Sequence, residues 1–168
     1  MVMTYTGNDV IALLKEVADP EIPVLSVVDL GIIEKVIVDG NRLYLGILPT
    51  YNGCPAIDLI RLMIHEKCYD AGFRDIEIEY LKTPHWTTDR ISPEGMNSLR
   101  EYGIAAPDKS TRIDQLIHGI STIRCPKCDS SHTFLISAFG STPCKALMQC
   151  KDCHEPFEYF KCNGIPND

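Results

Sequence analysis

Eight cysteines set most of the chemistry open to this chain of 168 residues. Cys125-Pro126-Lys127-Cys128 and Cys150-Lys151-Asp152-Cys153 are each a Cys-x-x-Cys, and 21 residues separate the two pairs. A two-residue gap lets both thiolates of one turn point at the same ion. A β excursion between the pairs then brings the second pair opposite and completes a tetrahedral S₄ site. The separation falls just outside the ~15–20 residues usual for zinc ribbons. Spacing and module size point to structural zinc at Cys125, Cys128, Cys150 and Cys153, although a [4Fe–4S] cluster uses the same kind of sulfur set. A redox role for either pair lacks a surrounding βαβ pattern. With four cysteines in place, His132 and His154 read as surface residues. So short a module has little core of its own, and metal binding supplies much of its stability.

The other cysteines differ in setting. Cys54 stands at the start of a helix expected over 55–71, where unpaired N–H groups and the helix dipole favour a thiolate. The plainer reading is a small apolar residue at a loop–helix junction. Cys68 shares the helical register of Ile57, Ile60 and Ile64 and belongs to the core. Cys144 and Cys162 each sit beside a lysine, Lys145 and Lys161. They are ribbon core residues if turned inward and thiolates if turned to solvent.

The elements that must position these groups follow from periodicity. Asn8 or Asp9 caps a first helix carrying Val10, Leu13, Leu14 and Val17, and Asp19-Pro20-Glu21-Ile22-Pro23 ends it. Alternation over 33–48 around Asp39-Gly40-Asn41 makes a β-hairpin. The helix after Cys54 stops at Gly72, residues 74–82 alternate as a third strand, and Ser92-Pro93-Glu94 opens another helix that Gly103 closes. Trp86 reads as a buried indole anchoring its loop. Asp19, Glu21 and Asp29 read as solvated or capping carboxylates, with no partner nearby to make a catalytic pair. Thr133–Phe139 and Lys145–Gln149 are the ribbon strands, and Phe157, Tyr159 and Phe160 pack over them.

The fold class is therefore α+β: a small mixed α/β domain over 1–104, a polar linker over 105–120, a β-rich zinc ribbon over 121–162 and a tail over 163–168. Charge divides the same way. Residues 1–104 carry nine basic and sixteen acidic side chains, residues 105–168 seven of each. A net charge of −7 argues against a nucleic-acid binder, whose affinity rests on Lys/Arg–phosphate contacts. No apolar run approaches the ~20 residues that cross a bilayer. With no basic-then-apolar N-terminal stretch, a cytoplasmic protein with reduced thiols is expected. A hairpin with an exposed edge is compatible with a homodimer.

Several strings carry a resemblance. Asp19-Pro20-Glu21-Ile22-Pro23, Asp29-Leu30-Gly31 and Thr50-Tyr51-Asn52-Gly53-Cys54-Pro55-Ala56 resemble the α+β domain of the metal–sulfur cluster assembly family. Trp86-Thr87-Thr88-Asp89, Leu99 to Ile104, Phe139-Gly140-Ser141-Thr142, Cys144-Lys145-Ala146-Leu147, and Glu155-Pro156-Phe157 with Tyr159 to Cys162 extend it. Over residues 8–162 the chain resembles the PaaD-like proteins, the D component associated with the multicomponent phenylacetyl-CoA epoxidase of phenylacetate breakdown. Arg90 stands where that family commonly has Trp, and Asn52 where Ser is frequent. The resemblance implies a non-enzymatic accessory that helps mature or supply iron or an iron–sulfur centre to the oxygenase or reductase component. Cys54, with Cys144 and Cys162, would hold transient iron or a cluster. The competing implication is a purely structural zinc-ribbon component that docks on the complex and has no metal-transfer role.

Overall fold

The computed structural model describes residues 5–50, 54–107, 113–119 and 123–161. The chain divides into two units, Met1–Gly95 and Met96–Asp168. In the first, helix α1 spans Gly7–Leu14 and buries Val10 and Leu14. Its cap is Thr6, ahead of the expected Asn8 or Asp9. Thr6 Oγ1 accepts from the Asp9 N–H while the Asp9 carboxylate accepts from the Thr6 N–H, a reciprocal capping box.

Strands β1 (Ile33–Asp39) and β2 (Arg42–Ile47) form the hairpin that the alternation predicts. Gly40 turns it with φ +57, a conformation that favours glycine. Helix α2 (Ile57–Asp70) then crosses over to β3 (Asp75–Tyr80), which pairs parallel with β2. The order β1-β2-β3 leaves β2 central, and Leu43, Leu45 and Ile47 on it are buried. Against that core α2 lays Ile60, Ile64 and Cys68. Burial pushes the Cys68 thiol up to about 11, so it stays neutral and behaves as a small apolar side chain.

The loop between α1 and β1 is held by its acidic residues. Asp19 is buried, and its Oδ1 accepts from the N–H groups of Glu21 and Ile22 at 2.8 Å each. It is a turn-holding group, and burial corrects the solvated alternative. Asp29 accepts from the hydroxyls of Ser26 and Ser92. The Trp86 indole N–H donates to the Leu30 carbonyl at 2.9 Å, anchoring its loop as the sequence suggests.

Helix α3 (Pro93–Glu101) runs across the division between the units. The second unit holds β4 (Ile104–Ala105), helix α4 (Ile113–Ile117), β5 (Thr133–Ser137), β6 (Lys145–Cys150) and β7 (Pro156–Phe160) in the sheet order β4-β7-β6-β5. Its core gathers Ala105, Leu116, Ile123, Ala146, Met148, Phe157 and Tyr159, together with Cys125 and Cys150. Two sequence expectations change here. The span 105–120 is not simply a polar linker: Ala105 pairs parallel with Tyr159, and Leu116 is buried in the ribbon core. Phe157, Tyr159 and Phe160 lie within a third antiparallel ribbon strand, β7, rather than packing over two. Elements as short as two and five residues leave no periodic signal.

Candidate metal centre

Each Cys-x-x-Cys closes a tight turn, and the two turns repeat one hydrogen-bond pattern. The Cys125 N–H donates to the Ser130 carbonyl at 2.9 Å, and the Cys150 N–H donates to the Glu155 carbonyl at 3.0 Å. The residue after each second cysteine, Asp129 and His154, takes φ +59. That left-handed step curls the chain back so that backbone N–H groups approach the sulfurs. Asp and His adopt it more readily than β-branched residues, a signal legible in the sequence but easily passed over.

The geometry fits one ion. Cys125 Sγ and Cys153 Sγ lie 3.7 Å apart, and Cys128 Sγ and Cys150 Sγ 3.6 Å apart. All four sulfurs fall within 4.8 Å of one another. A tetrahedral ion with metal–sulfur bonds of about 2.3 Å puts its ligands about 3.8 Å apart. A multi-iron cluster seats each cysteine on its own iron and spreads the sulfurs more widely, so the spacing favours a single ion. Separations of 3.6–3.7 Å are also far beyond a sulfur–sulfur bond.

Electrostatics supports the same reading. The Cys153 and Asp152 N–H groups hold the Cys150 thiol down to about 7. The Ser130 N–H favours a thiolate at Cys128, but the sulfurs of Cys153, Cys150 and Cys125 and local burial push it up to about 12. Four adjacent thiolates repel one another, and a divalent cation removes that conflict. Polar bridges join the two turns from outside. Lys127 Nζ lies 2.5 Å from Glu155 Oε2, Ser130 bonds Asp152, and His132 Nδ1 lies 3.2 Å from Asp152 Oδ2. His132 and His154 are exposed and lie outside the cysteine cluster.

The remaining cysteines separate. Cys54 is half-buried and precedes α2, its carbonyl accepting from the Ile57 N–H. The helix begins two residues later than 55, with Ala56 as its cap. Cys144 is buried, its sulfur 3.0 Å from Thr142 Oγ1. Its neighbours Lys145 and Lys161 are buried as well. Lys145 pairs with Glu158 at 3.1 Å, while Lys161 donates to the Ala138 carbonyl and lies 4.4 Å from the Phe139 ring centre. The inward alternative therefore applies to Cys144. Cys162 lies outside the described residues.

Two family models match: the iron–sulfur cluster assembly protein domain over residues 8–70 and the PaaD zinc beta ribbon domain over residues 110–161. A conserved hypothetical protein of Thermotoga maritima aligns with a TM-score of 0.51 at 30% identity, covering 59% of this chain and 98% of that one. A DUF59 domain from Bacillus anthracis gives the same score at 26% identity, covering 55% and 90%. An iron–sulfur protein maturation auxiliary factor of Porphyromonas gingivalis is 34% identical over 56% of this chain and 90% of its own. Fold and site thus define a two-part protein, an iron–sulfur assembly type α+β domain followed by a four-cysteine zinc ribbon.

A protein of Escherichia coli K12, named as the D component of 1,2-phenylacetyl-CoA epoxidase, is 44% identical over 92% of both chains. This chain belongs to that family, PaaD. Among the described residues no helix is long and apolar enough to cross a membrane.

Proposed function

We propose that this chain is a cytoplasmic accessory of a multicomponent phenylacetyl-CoA epoxidase, without catalytic chemistry of its own, that assists assembly of an iron or iron–sulfur centre in the oxygenase or reductase component. The observation that carries this reading is a division of labour among the thiols. Cys125, Cys128, Cys150 and Cys153 converge on one point and fit a resident zinc ion, whose contribution when bound is to cross-link the two turns. Cys54 is half-buried in the domain that matches iron–sulfur assembly proteins. A ligand set that closes around an ion releases it slowly, whereas one thiol held just ahead of a helix can exchange ligands with an incoming protein.

In this mechanism Cys54 donates its sulfur to the cargo and yields it to the recipient's ligands. That exchange needs no change of oxidation state in this chain. The burial of Cys144 narrows the candidate transfer ligands toward Cys54, with Cys162 as a second. The test is the rate at which the purified chain restores iron to each metal-depleted epoxidase component. Cys54→Ser should slow restoration to the rate without accessory protein, whereas Cys144→Ser should retain most of it. Wild-type rates for both Cys54→Ser and Cys162→Ser would refute metal transfer and leave a purely structural docking role.

A further inference from the structure

Helix α2 has an apolar face that the core does not use. Ile60, Ile64 and Cys68 point inward, yet Leu59, Leu62 and Tyr69 are 48%, 62% and 50% exposed. Positions 59, 62, 66 and 69 recur at helical spacing on the side away from that core, so the three apolar residues and Glu66 form one outward stripe. Leu62 lies about 8 Å along the axis from the helix start at 1.5 Å per residue, and the stripe begins at Leu59, five residues after Cys54.

Charge around this face is mixed, while the unit as a whole is acidic. The nearby cations are engaged: Lys67 Nζ lies 2.5 Å from Glu16, Arg61 sits 5.6 Å from the Tyr80 ring centre, and Arg74 lies 4.3 Å from that of Tyr69 while donating to the Tyr69 carbonyl. Asp58 accepts from the Tyr80 hydroxyl at 2.7 Å. Glu66 and Asp70 are exposed and make no ion pair among the described residues. Residues 1–95 carry fifteen acidic against eight basic side chains, the whole −7 of the protein.

We propose that the outer face of α2 is the docking surface for the protein that receives the metal centre, and that this partner presents an apolar patch rimmed by lysine or arginine. The inference rests on the transfer reading for Cys54 and supplies its geometry. A partner seated over Leu59, Leu62 and Tyr69 covers the helix that Cys54 precedes by three residues. Exposed apolar residues grouped on one face and bordered by charge are the usual composition of such a contact. The net negative charge of residues 1–95 would steer a basic partner toward it in a salt-dependent way.

The experiment measures binding and iron restoration separately, using the full chain and each purified epoxidase component as probes. Leu62→Arg should weaken binding at least about tenfold. The double variant Glu66→Lys, Asp70→Lys should weaken it severalfold and flatten its salt dependence. Cys54→Ser should bind at wild-type affinity and fail to transfer. Unchanged near-ultraviolet circular dichroism and tryptophan fluorescence would show that the variants fold. Wild-type binding by Leu62→Arg, or no binding of the wild type to any component, overturns the proposal. So does a wild-type dimer that Leu62→Arg dissociates, because a second copy would then occupy the face. If Cys54→Ser transfers normally while Leu62→Arg fails to bind, the transfer reading fails and the docking surface stands.

Discussion

Acidification should strip the metal from the four-cysteine site steeply, because thiolates bind the ion and thiols do not. In the metal-free site backbone N–H groups hold the Cys150 thiol down to about 7, the neighbouring sulfurs and burial push Cys128 up to about 12, and Cys153 is also raised. Near neutrality, metal binding therefore displaces one proton from Cys128, one from Cys153 and about half of one from Cys150. The sign follows directly. Protons compete with metal, so the metal-bound state is favoured above these values and lost as pH falls. Each displaced proton contributes a factor of ten per pH unit, so apparent zinc affinity should fall roughly 300-fold between about pH 7.5 and 6.5. Competition against a chromophoric chelator, corrected for the chelator's own protonation, measures that slope. A slope of one proton or less would refute the reasoning, since it would mean that the ion is not held by four thiolates displacing protons.

Zinc removal should also act locally. Cys125 and Cys150 belong to the ribbon core, so chelation under reducing conditions should abolish amide exchange protection in β5–β7, while fluorescence of the single tryptophan, Trp86 of the first unit, stays unchanged. Gly31→Ala should cost at least about 2 kcal/mol in chemical denaturation. Gly31 has φ +74, and a Cβ there would meet the Arg90 carbonyl oxygen at 2.2 Å. Trp86→Phe removes the donor to the buried Leu30 carbonyl and should cost about 1–3 kcal/mol, read from the same denaturation curves. In the zinc-loaded protein, iodoacetamide should label Cys54 well before Cys68, whose thiol is buried and pushed up to about 11. Mass spectrometry of a labelling time course checks the order.

Much of the first domain is legible because its elements are long enough to repeat a period. Leu43, Leu45 and Ile47 alternate, and Ile60, Ile64 and Cys68 fall on one helical stripe, so hairpin, helix and core emerge from spacing alone. The second unit resists the same treatment. Its two-residue β4 and five-residue α4 carry too few turns for a pattern, and what makes Ala105 and Leu116 core residues is contact with strands far along the chain. Leu59 and Leu62, apolar but off the Ile60–Ile64–Cys68 stripe, are exposed.

By itself the sequence determined the chemistry on offer: two Cys-x-x-Cys pairs at ribbon spacing, a cysteine ahead of a helix, and an acidic first half beside a neutral second. Ligand type and local spacing are properties of a few adjacent residues, and they survive without a fold. The tertiary structure alone decided that the four sulfurs meet within 4.8 Å in a spacing suited to one ion. It alone placed Cys144 inside while Cys54 remains half-buried. Both outcomes depend on which distant segments pack together, and one-dimensional periodicity carries no information about that.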